Sequence, residues 1–227
     1  MAESDDVLGR APLFEALDEE GTQALRAGVH DVTLGRGDRL FDEGDAGDRL
    51  YVVLEGKIKL TRTAPDGREN LLSVLGPGEM FGELSLFDPR PRTSSAVAVT
   101  DAHLAGLGHD YLRHWLTGRP DVAMHLLRAL AQRLRRTNDV MADLVFTDVP
   151  GRVARALLDL ADRFGQLRGA GVDVHHDLTQ EELAQLVGAS RETVNKALAD
   201  FAGRGWLQVS AKSVLILEPE RLRKRAH

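Results

Sequence analysis

The segment 76–97 carries the side chains of this chain that are best suited to bind an anion. It reads GPGEMFGELSLFDPRPRTSSAV. Gly82 lets the backbone approach a ligand closely, and the amides of a short helical turn just after it can donate to phosphate. Arg92 can pair bidentately with phosphate oxygens, and the next residue adds a hydroxyl. The candidate residues of this anion site are Gly82, Glu83, Leu84, Ser85, Arg92 and Thr93.

A carboxylate within the same segment narrows the chemistry of the ligand. Glu83 would repel phosphate, but it can accept a hydrogen bond from a sugar hydroxyl. One arginine and one carboxylate together suit a ribose phosphate with a single negative charge. A polar β-turn held by a structural salt bridge has the same residue types, and the spacing alone does not decide between the two interpretations.

A second candidate site lies in residues 178–198, LTQEELAQLVGASRETVNKAL. The pattern predicts a first helix that Thr179 and Glu182 cap reciprocally and that Gly188 ends. A second helix then begins at Ser190 and presents charged side chains, as the recognition helix of a helix-turn-helix does. An ordinary helical hairpin with a solvated charged face fits the same pattern. The candidate DNA-binding residues are Thr179, Gln180, Ser190, Arg191, Glu192, Asn195 and Lys196.

Other clusters of reactive residues give little support to metal binding or catalysis. His175, His176 and Asp177 are adjacent, but neighbouring residues on an extended segment point to opposite faces, so at most one of the histidines shares a site with the aspartate. A polar loop before a capped helix explains them better. Ser94 and Ser95 have no base partner that the sequence identifies. We therefore expect no metal and no enzymatic activity.

The absence of cysteine and of membrane-targeting patterns favours a cytoplasmic protein. The chain has no cysteine, which excludes disulfides and thiolate metal sites. It has no apolar run of about 18 residues and no signal-peptide pattern, so we expect no membrane association.

The net charge is −6, but residues 150–227 carry 12 Lys and Arg against 10 Asp and Glu. Local charge decides contact with phosphates, so the acidic total is weak evidence against a nucleic-acid partner.

The elements that position the first site are mostly strands. Residues 8–28 suggest one or two short helices. From Val29 to Leu107 the hydrophobic period changes to two, with regularly spaced glycines. Many short strands separated by glycine turns are typical of an all-β roll or barrel.

A long helix is predicted from Pro120 to Phe146, where the sequence has no Gly or Pro after its first residue. Six of its residues recur at alternating steps of three and four, which is the heptad pattern of a coiled-coil seam. We favour a two-helix dimer interface over a monomer core helix. These seam residues are Leu127, Leu130, Leu134, Thr137, Met141 and Leu144.

A hinge at Phe146–Pro150 leads into a second domain, where Pro150 suits the first turn of a new helix. A loop at Gly165–Gly171, the two capped helices and a hairpin around Ala211-Lys212 follow, which together predict a winged helix. The expected fold class is therefore α+β. It comprises an N-terminal β-roll over residues 1–119, a dimerisation helix over 120–146 and a winged helix-turn-helix domain over 147–227.

The segment FGELSLFDPRPRTSSAV resembles the phosphate-binding cassette of cyclic-nucleotide-binding domains. Together with the long helix, FTDVPGRVA and TQEELAQLVGASRETVNK, it resembles the cyclic-AMP receptor protein family of bacterial transcription regulators. The resemblance spans nearly the whole chain in the family's order. It is greatest to the actinobacterial members, of the type of the corynebacterial glyoxylate-bypass regulator.

This resemblance implies cyclic AMP as an allosteric ligand and assigns roles to individual residues. It places the cyclic phosphate and ribose on the cassette residues, with Glu83 on the ribose 2′-hydroxyl and Arg92 on the phosphate. Three residues of the long helix also fall at ligand-facing positions. Thr137 would reach the adenine amino group, and Asn138 would reach the ligand of the other subunit. The three residues are Arg133, Thr137 and Asn138.

The resemblance further implies a homodimer that reads double-stranded DNA through Arg191, Glu192 and Lys196, with RNA polymerase contacting the region of Gly165–Gly171. Two residues depart from the enterobacterial pattern: Asn138 replaces a serine, and Lys196 replaces an arginine. A threonine after the cassette arginine, as at Thr93, also occurs in cyclic-GMP-binding relatives. The alternatives are therefore a regulator of the same family that senses cyclic GMP, or haem through His103 or His109, or that binds DNA without a ligand.

Overall fold

The computed structural model describes residues 7, 9, 11, 17 and 19–226; for residues 19, 20, 114, 115 and 121 it describes the backbone alone. The chain separates into two compact units, residues 1–66 with 73–135, and residues 67–72 with 136–227. The second boundary falls inside the predicted long helix. The division at 119/120 and 146/147 stays a prediction.

Eight strands build two four-stranded sheets that hold the first candidate site. The strands are β1 (Val29–Leu34), β2 (Arg39–Phe41), β3 (Arg49–Glu55), β4 (Ile58–Thr63), β5 (Glu69–Leu75), β6 (Met80–Phe81), β7 (Ser95–Ala98) and β8 (Ala102–Gly108). One sheet has the order β1-β8-β3-β6 and the other β2-β7-β4-β5. The predicted β-rich region is thus confirmed.

Strand β3 shows why its run of apolar residues is needed. Leu50, Val52 and Leu54 lie in one buried cluster, whereas Tyr51 and Val53 lie in a second cluster. Successive side chains of a strand point to opposite faces, so a strand buried on both faces must be apolar throughout. The run LYVVL therefore joins two cores.

In the part of the chain from residue 19 to 146, four helices accompany these sheets: α1 (Glu19–Arg26), α2 (Leu84–Phe87), α3 (His109–Leu116) and α4 (Pro120–Phe146). Helix α1 confirms the C-terminal part of the helical prediction for residues 8–28. Most of the residues before Glu19 lie outside the described part of the chain. Helix α4 is the predicted long helix, and its bounds match the prediction.

Helix α4 has one buried and one uncovered apolar face. Val122 and Leu126 are buried in the cluster that contains Leu50 and Leu107. Four apolar seam residues and Thr137 are instead exposed, and Leu130 is partly buried. The exposed fractions are 56% for Leu127, 62% for Leu134, 61% for Met141 and 51% for Leu144. The heptad pattern therefore marks a surface that the described residues leave exposed.

The second unit is a winged helix-turn-helix fold, as predicted. It contains α5 (Val149–Phe164), β9 (Gly165–Arg168), β10 (Gly171–His175), α6 (Gln180–Val187), α7 (Arg191–Gly203), β11 (Leu207–Val209), β12 (Ser213–Ile216) and α8 (Pro219–Arg225). Its sheet has the order β11-β12-β10-β9. Leu157, Val194 and Phe201 are central to its core.

The loop predicted at Gly165–Gly171 is wrong. These residues form most of a β-hairpin, in which Gly165 pairs with Val174 and Arg168 with Gly171. Strand β10 also pairs with β12, and its Val174 is buried beside Val214. This pairing stabilises a segment whose own glycine-rich sequence has little strand propensity.

Candidate functional site

The anion site is built around two glycines that allow close packing. Gly82 follows β6 with a φ of +80°, and a Cβ there would lie 2.6 Å from Arg92 Nη1 and 2.9 Å from the Arg49 carbonyl oxygen. A Cβ on Gly47 would lie 2.2 Å from Ser85 Oγ. Both positions therefore require glycine. The sequence identified Gly82 but missed Gly47, because Gly47 and Ser85, 38 positions apart, give no local sign of their contact.

Arg92 is a buried cation that forms no ion pair with the carboxylates of the described residues. Its residue is only 5% exposed. Nη1 donates to the Gly82 carbonyl at 3.1 Å and Nη2 donates to the Arg49 carbonyl at 2.8 Å. Nε is buried without a hydrogen-bond acceptor among the described residues, and none of their carboxylates lies within ion-pair distance.

Burial changes the pKa of this guanidinium. Desolvation lowers the pKa of Arg92, although the phenol of Tyr51 and the carboxylates of Asp48, Glu83 and Asp45 act in the opposite direction at longer range. A desolvated charge without a partner is costly. The cradle is therefore suited to an anion that pairs with Arg92.

Glu83 provides the second polar group of the cradle. It is 1% exposed, and its Oε1 accepts a hydrogen bond from Arg133 Nη1 at 2.8 Å. Its Oε2 is buried and has no partner in the described part of the chain. Buried carboxylate oxygens are normally satisfied. A ligand hydroxyl is the group that fits this open acceptor.

The remaining candidate ligand residues differ in their placement. Ser85 is buried in the first turn of α2, whereas Leu84 is half exposed and Thr93 is exposed. The structure thus places Gly82, Glu83 and Ser85 close to Arg92. Thr137 and Asn138 are exposed on α4, in the second compact unit. Thr137 follows Arg133 by one helical turn and therefore shares its helix face.

The histidines suggested as metal or haem ligands have other surroundings. His103 Nε2 lies 2.9 Å from Asp31 Oδ1. His109 is buried at the start of α3, where desolvation is the main cause of its lowered pKa. His176 Nδ1 accepts from the Leu178 amide at 3.1 Å. No cluster of three or more His, Cys, Asp or Glu residues able to hold a metal occurs in the described residues.

The helix-turn-helix has the capping geometry that the sequence predicts. The Thr179 amide donates to Glu182 Oε2 at 2.8 Å, and the Glu182 amide donates to Thr179 Oγ1 at 3.2 Å. Gly188 ends α6 with a φ of +67°. The Thr193 amide donates to Ser190 Oγ at 3.2 Å, which caps α7. Local side-chain chemistry therefore fixes both helix starts.

Helix α7 presents a charged face and buries an apolar face. Arg191, Glu192 and Lys196 are exposed, while Asn195 is partly buried. Lys196 Nζ lies 2.7 Å from Glu192 Oε1. The buried residues are Val194, Ala197, Leu198 and Phe201. The exposed N-terminal half of α7 therefore carries side chains able to read base edges. Gln180 lies in the first turn of α6 and is partly buried.

Arginine side chains stabilise the turn between α4 and α5, and their contacts were not predicted from the sequence. Asp143 is buried, and its Oδ1 lies 2.5 Å from Arg155 Nη1. Arg155 Nη2 donates to the Ala226 carbonyl at 3.0 Å. The end of α4 is thereby linked to α5 and to the last described residue. A spacing of 12 residues between Asp143 and Arg155 across a helix break gives no recognisable motif.

A second arginine fixes the turn itself. Arg152 Nη1 donates to the Thr147 carbonyl at 2.9 Å, and Arg152 Nε donates to the Val187 carbonyl at 3.1 Å. Asp148 caps α5 through the Gly151 amide and pairs with Arg225 at 2.6 Å. The hydrogen bond from Arg225 is the main reason that the pKa of Asp148 is lowered. The turn and the C-terminal end of α6 are thus directly connected.

Two family models match this chain. Residues 31–118 match the cyclic nucleotide-binding domain, and residues 151–225 match the Crp-like helix-turn-helix domain. The first match contains Gly82, Glu83 and Arg92, and the second contains the whole of α6 and α7. In the part of the chain that the structure describes, no helix is long and apolar enough to cross a membrane.

Known proteins with similar sequences are transcription regulators. The chain is 57% identical over 222 residues to a CRP-like cAMP-activated global transcriptional regulator of Mycobacterium tuberculosis, which covers 98% of this chain and 99% of that protein. It is 36% identical over 208 residues to the cyclic AMP receptor protein of Thermus thermophilus, which covers 92% and 93%. The crystal structure of Thermus thermophilus catabolite activator protein superposes with a TM-score of 0.55 at 36% identity, which covers 95% of this chain and 98% of that one.

Proposed function

The chain belongs to the family of CRP-like cAMP-activated transcription regulators, and on this premise we propose that it is a homodimeric regulator whose affinity for DNA depends on cyclic AMP. The observation that carries the ligand half of the proposal is the buried guanidinium of Arg92, which no described carboxylate neutralises. The protein acts in the cytoplasm and catalyses no reaction.

The cradle suits a cyclic nucleotide in both charge and hydrogen bonding. A cyclic phosphate carries one negative charge, which Arg92 neutralises through a charge-assisted contact. The amides of Leu84 and Ser85 and the hydroxyl of Thr93 add donors to the phosphate. The open Oε2 of Glu83 accepts the ribose 2′-hydroxyl. Gly82 keeps the space beside Arg92 clear.

Helix α4 supplies the contacts to the base and to the second subunit. Arg133 already reaches Glu83, and Thr137 and Asn138 follow it along the same continuous helix. Thr137 contacts the adenine amino group, and Asn138 contacts the nucleotide of the partner subunit. A ligand held in this way joins the phosphate cradle to the dimer seam.

The homodimer forms through the seam of α4. Leu127, Leu134, Met141 and Leu144 are more than half exposed in the single chain. An apolar heptad surface of this kind is stabilised when a second copy of the helix covers it. The symmetric dimer then presents two copies of α7 to DNA.

Each subunit of the dimer reads DNA with its own α7, and the two copies of α7 enter two adjacent major grooves. Arg191 suits guanine O6 and N7, and Glu192 can accept from cytosine N4. Lys196 is a point donor and is less selective than an arginine fork. The operator is a near-palindrome of TGTGA type with half-sites about 34 Å apart. Thr179, Gln180, Ser190 and Asn195 complete the DNA-binding set, and RNA polymerase contacts the β9–β10 hairpin.

Calorimetric titration of the purified protein with cyclic AMP and, separately, cyclic GMP tests the ligand assignment. We expect one nucleotide per chain and tighter binding of cyclic AMP. Tighter binding of cyclic GMP would favour the alternative suggested by Thr93. A visible absorption band from bound haem, without binding of either nucleotide, would favour a haem-sensing regulator of the same family. Binding of none of these ligands would favour ligand-independent DNA binding.

A further inference from the structure

Arg92 lies over the face of an aromatic ring in the cradle. Its guanidinium carbon is 4.3 Å from the centroid of the Phe41 ring and 5.9 Å from that of Tyr51. Both distances are within the range of cation–π attraction, which is stronger when the cation is desolvated. Phe41 ends β2 and packs against Tyr51 and Phe81, with ring centroids 6.1 and 6.0 Å away. Phe41 therefore belongs to an aromatic cluster with Tyr51 and Phe81.

We propose that Phe41 is a positioning residue for the phosphate-binding arginine, because its ring holds the Arg92 guanidinium inside the cradle before an anion arrives. This inference rests on the proposed function of the cradle. The carbonyls of Gly82 and Arg49 bind Nη1 and Nη2, and the guanidinium carbon lies over the Phe41 ring. Nε has no acceptor among the described residues and is therefore available to the phosphate.

Two exposed carboxylates attract the Arg92 guanidinium. Asp48 and Asp45 are exposed carboxylates whose charges act on Arg92. Burial lowers the pKa of Arg92, so the buried position is electrostatically unfavourable without compensation. Without the ring, the side chain turns toward these carboxylates and water. The ligand then binds only the minor population of molecules in which Arg92 points into the cradle. Its apparent affinity therefore falls in proportion to that population.

Replacement of the ring tests this role in the full-length protein. We expect Phe41→Leu to weaken cyclic AMP binding about tenfold in calorimetry, the effect of one desolvated cation–π contact. Phe41→Tyr keeps the aromatic face and is expected to bind within about twofold of the wild type. Phe81→Leu is the matched control, since Phe81 belongs to the same aromatic cluster, whereas the described cation–π contacts of Arg92 are with Phe41 and Tyr51. It is expected to lower thermal stability and leave nucleotide affinity nearly unchanged.

A spectroscopic readout separates positioning from a general packing defect. The Nε–H of Arg92 is expected to give an upfield-shifted NMR signal in the ligand-free wild type and in Phe41→Tyr, because of the ring current. The signal should move to the usual arginine range in Phe41→Leu. Unchanged affinity in Phe41→Leu, or an equal loss in Phe81→Leu, would overturn the role of Phe41. Failure of the wild type to bind any cyclic nucleotide would instead overturn the proposed function.

Discussion

Arg133 Nη1 lies 2.8 Å from Glu83 Oε1, so the helix that carries the heptad pattern is hydrogen-bonded to the centre of the candidate ligand cradle. The two residues are 50 positions apart in the sequence. Glu83 is buried and its second oxygen has no partner among the described residues, whereas the side chain of Arg133 is partly exposed. One carboxylate therefore has room for both a ligand hydroxyl and the long helix. This contact supports the proposed coupling between nucleotide binding and the predicted dimer seam.

Arg92→Ala should abolish detectable nucleotide binding, because it removes the countercharge of a buried phosphate. Loss of such a contact costs on the order of 2–5 kcal/mol. Calorimetry on the folded variant checks the prediction. Arg90→Ala is the matched control, since Arg90 lies in the same segment, is exposed and pairs only with exposed Asp88. If Arg92→Ala binds as well as the control, the pocket is wrongly assigned.

Leu134→Lys should convert the dimer into a folded monomer. The side chain is 62% exposed in the single chain, so the charge does not enter the monomer core. It would instead place two like charges in the apolar seam. Sedimentation velocity measures the result. Gln132→Lys, exposed on the opposite face of α4, should remain dimeric; a monomeric wild type would show that the seam is not a dimer interface.

Arg191→Ala should relax the choice of base at one operator position. Its guanidinium is exposed at the start of α7, and an arginine–guanine contact is worth about 1–3 kcal/mol of discrimination. Binding to a set of single-base operator variants tests this. Arg204→Ala, at the other end of α7, should leave the base preference intact. Equal weakening on every sequence would mean that Arg191 touches phosphate only.

Thr137→Ala should weaken allosteric coupling more than nucleotide binding. The phosphate and ribose contacts remain, and one neutral hydrogen bond contributes only about 0.5–1.5 kcal/mol. The ratio of operator affinities with and without cyclic AMP should therefore fall toward one, while calorimetry still detects binding of the nucleotide. Thr137→Ser keeps the hydroxyl and should behave as the wild type. Full coupling in Thr137→Ala would remove Thr137 from the ligand contacts.

Features encoded by neighbouring residues could be predicted from the sequence. The capping box at Thr179 and the left-handed Gly188 follow from side chains within a single turn, and the structure places them as expected. The period-two pattern from Val29 to Leu107 likewise predicted a series of short strands, which the structure confirms. In each case the physical cause lies within a few residues of the effect.

Features that depend on distant residues could not be predicted. The β9–β10 hairpin depends on pairing with β12, more than 40 residues further along. The contact of Phe41 with Arg92 and the contacts of Arg155 with Asp143 and Ala226 appear only when separate elements pack together. The sequence therefore singled out Arg92 as a candidate anion ligand but not the residues that contact it.

The most direct test is the operator affinity of the wild-type protein with and without saturating cyclic AMP. A labelled duplex with a TGTGA-type near-palindrome is titrated at fixed salt, because affinity for DNA depends strongly on ionic strength. Cyclic AMP can shift affinity only as far as it binds the DNA-competent state more tightly than the other state. We expect tighter binding with cyclic AMP in the wild type and no change in Arg92→Ala. An equal affinity with and without cyclic AMP in the wild type would contradict regulation by this nucleotide.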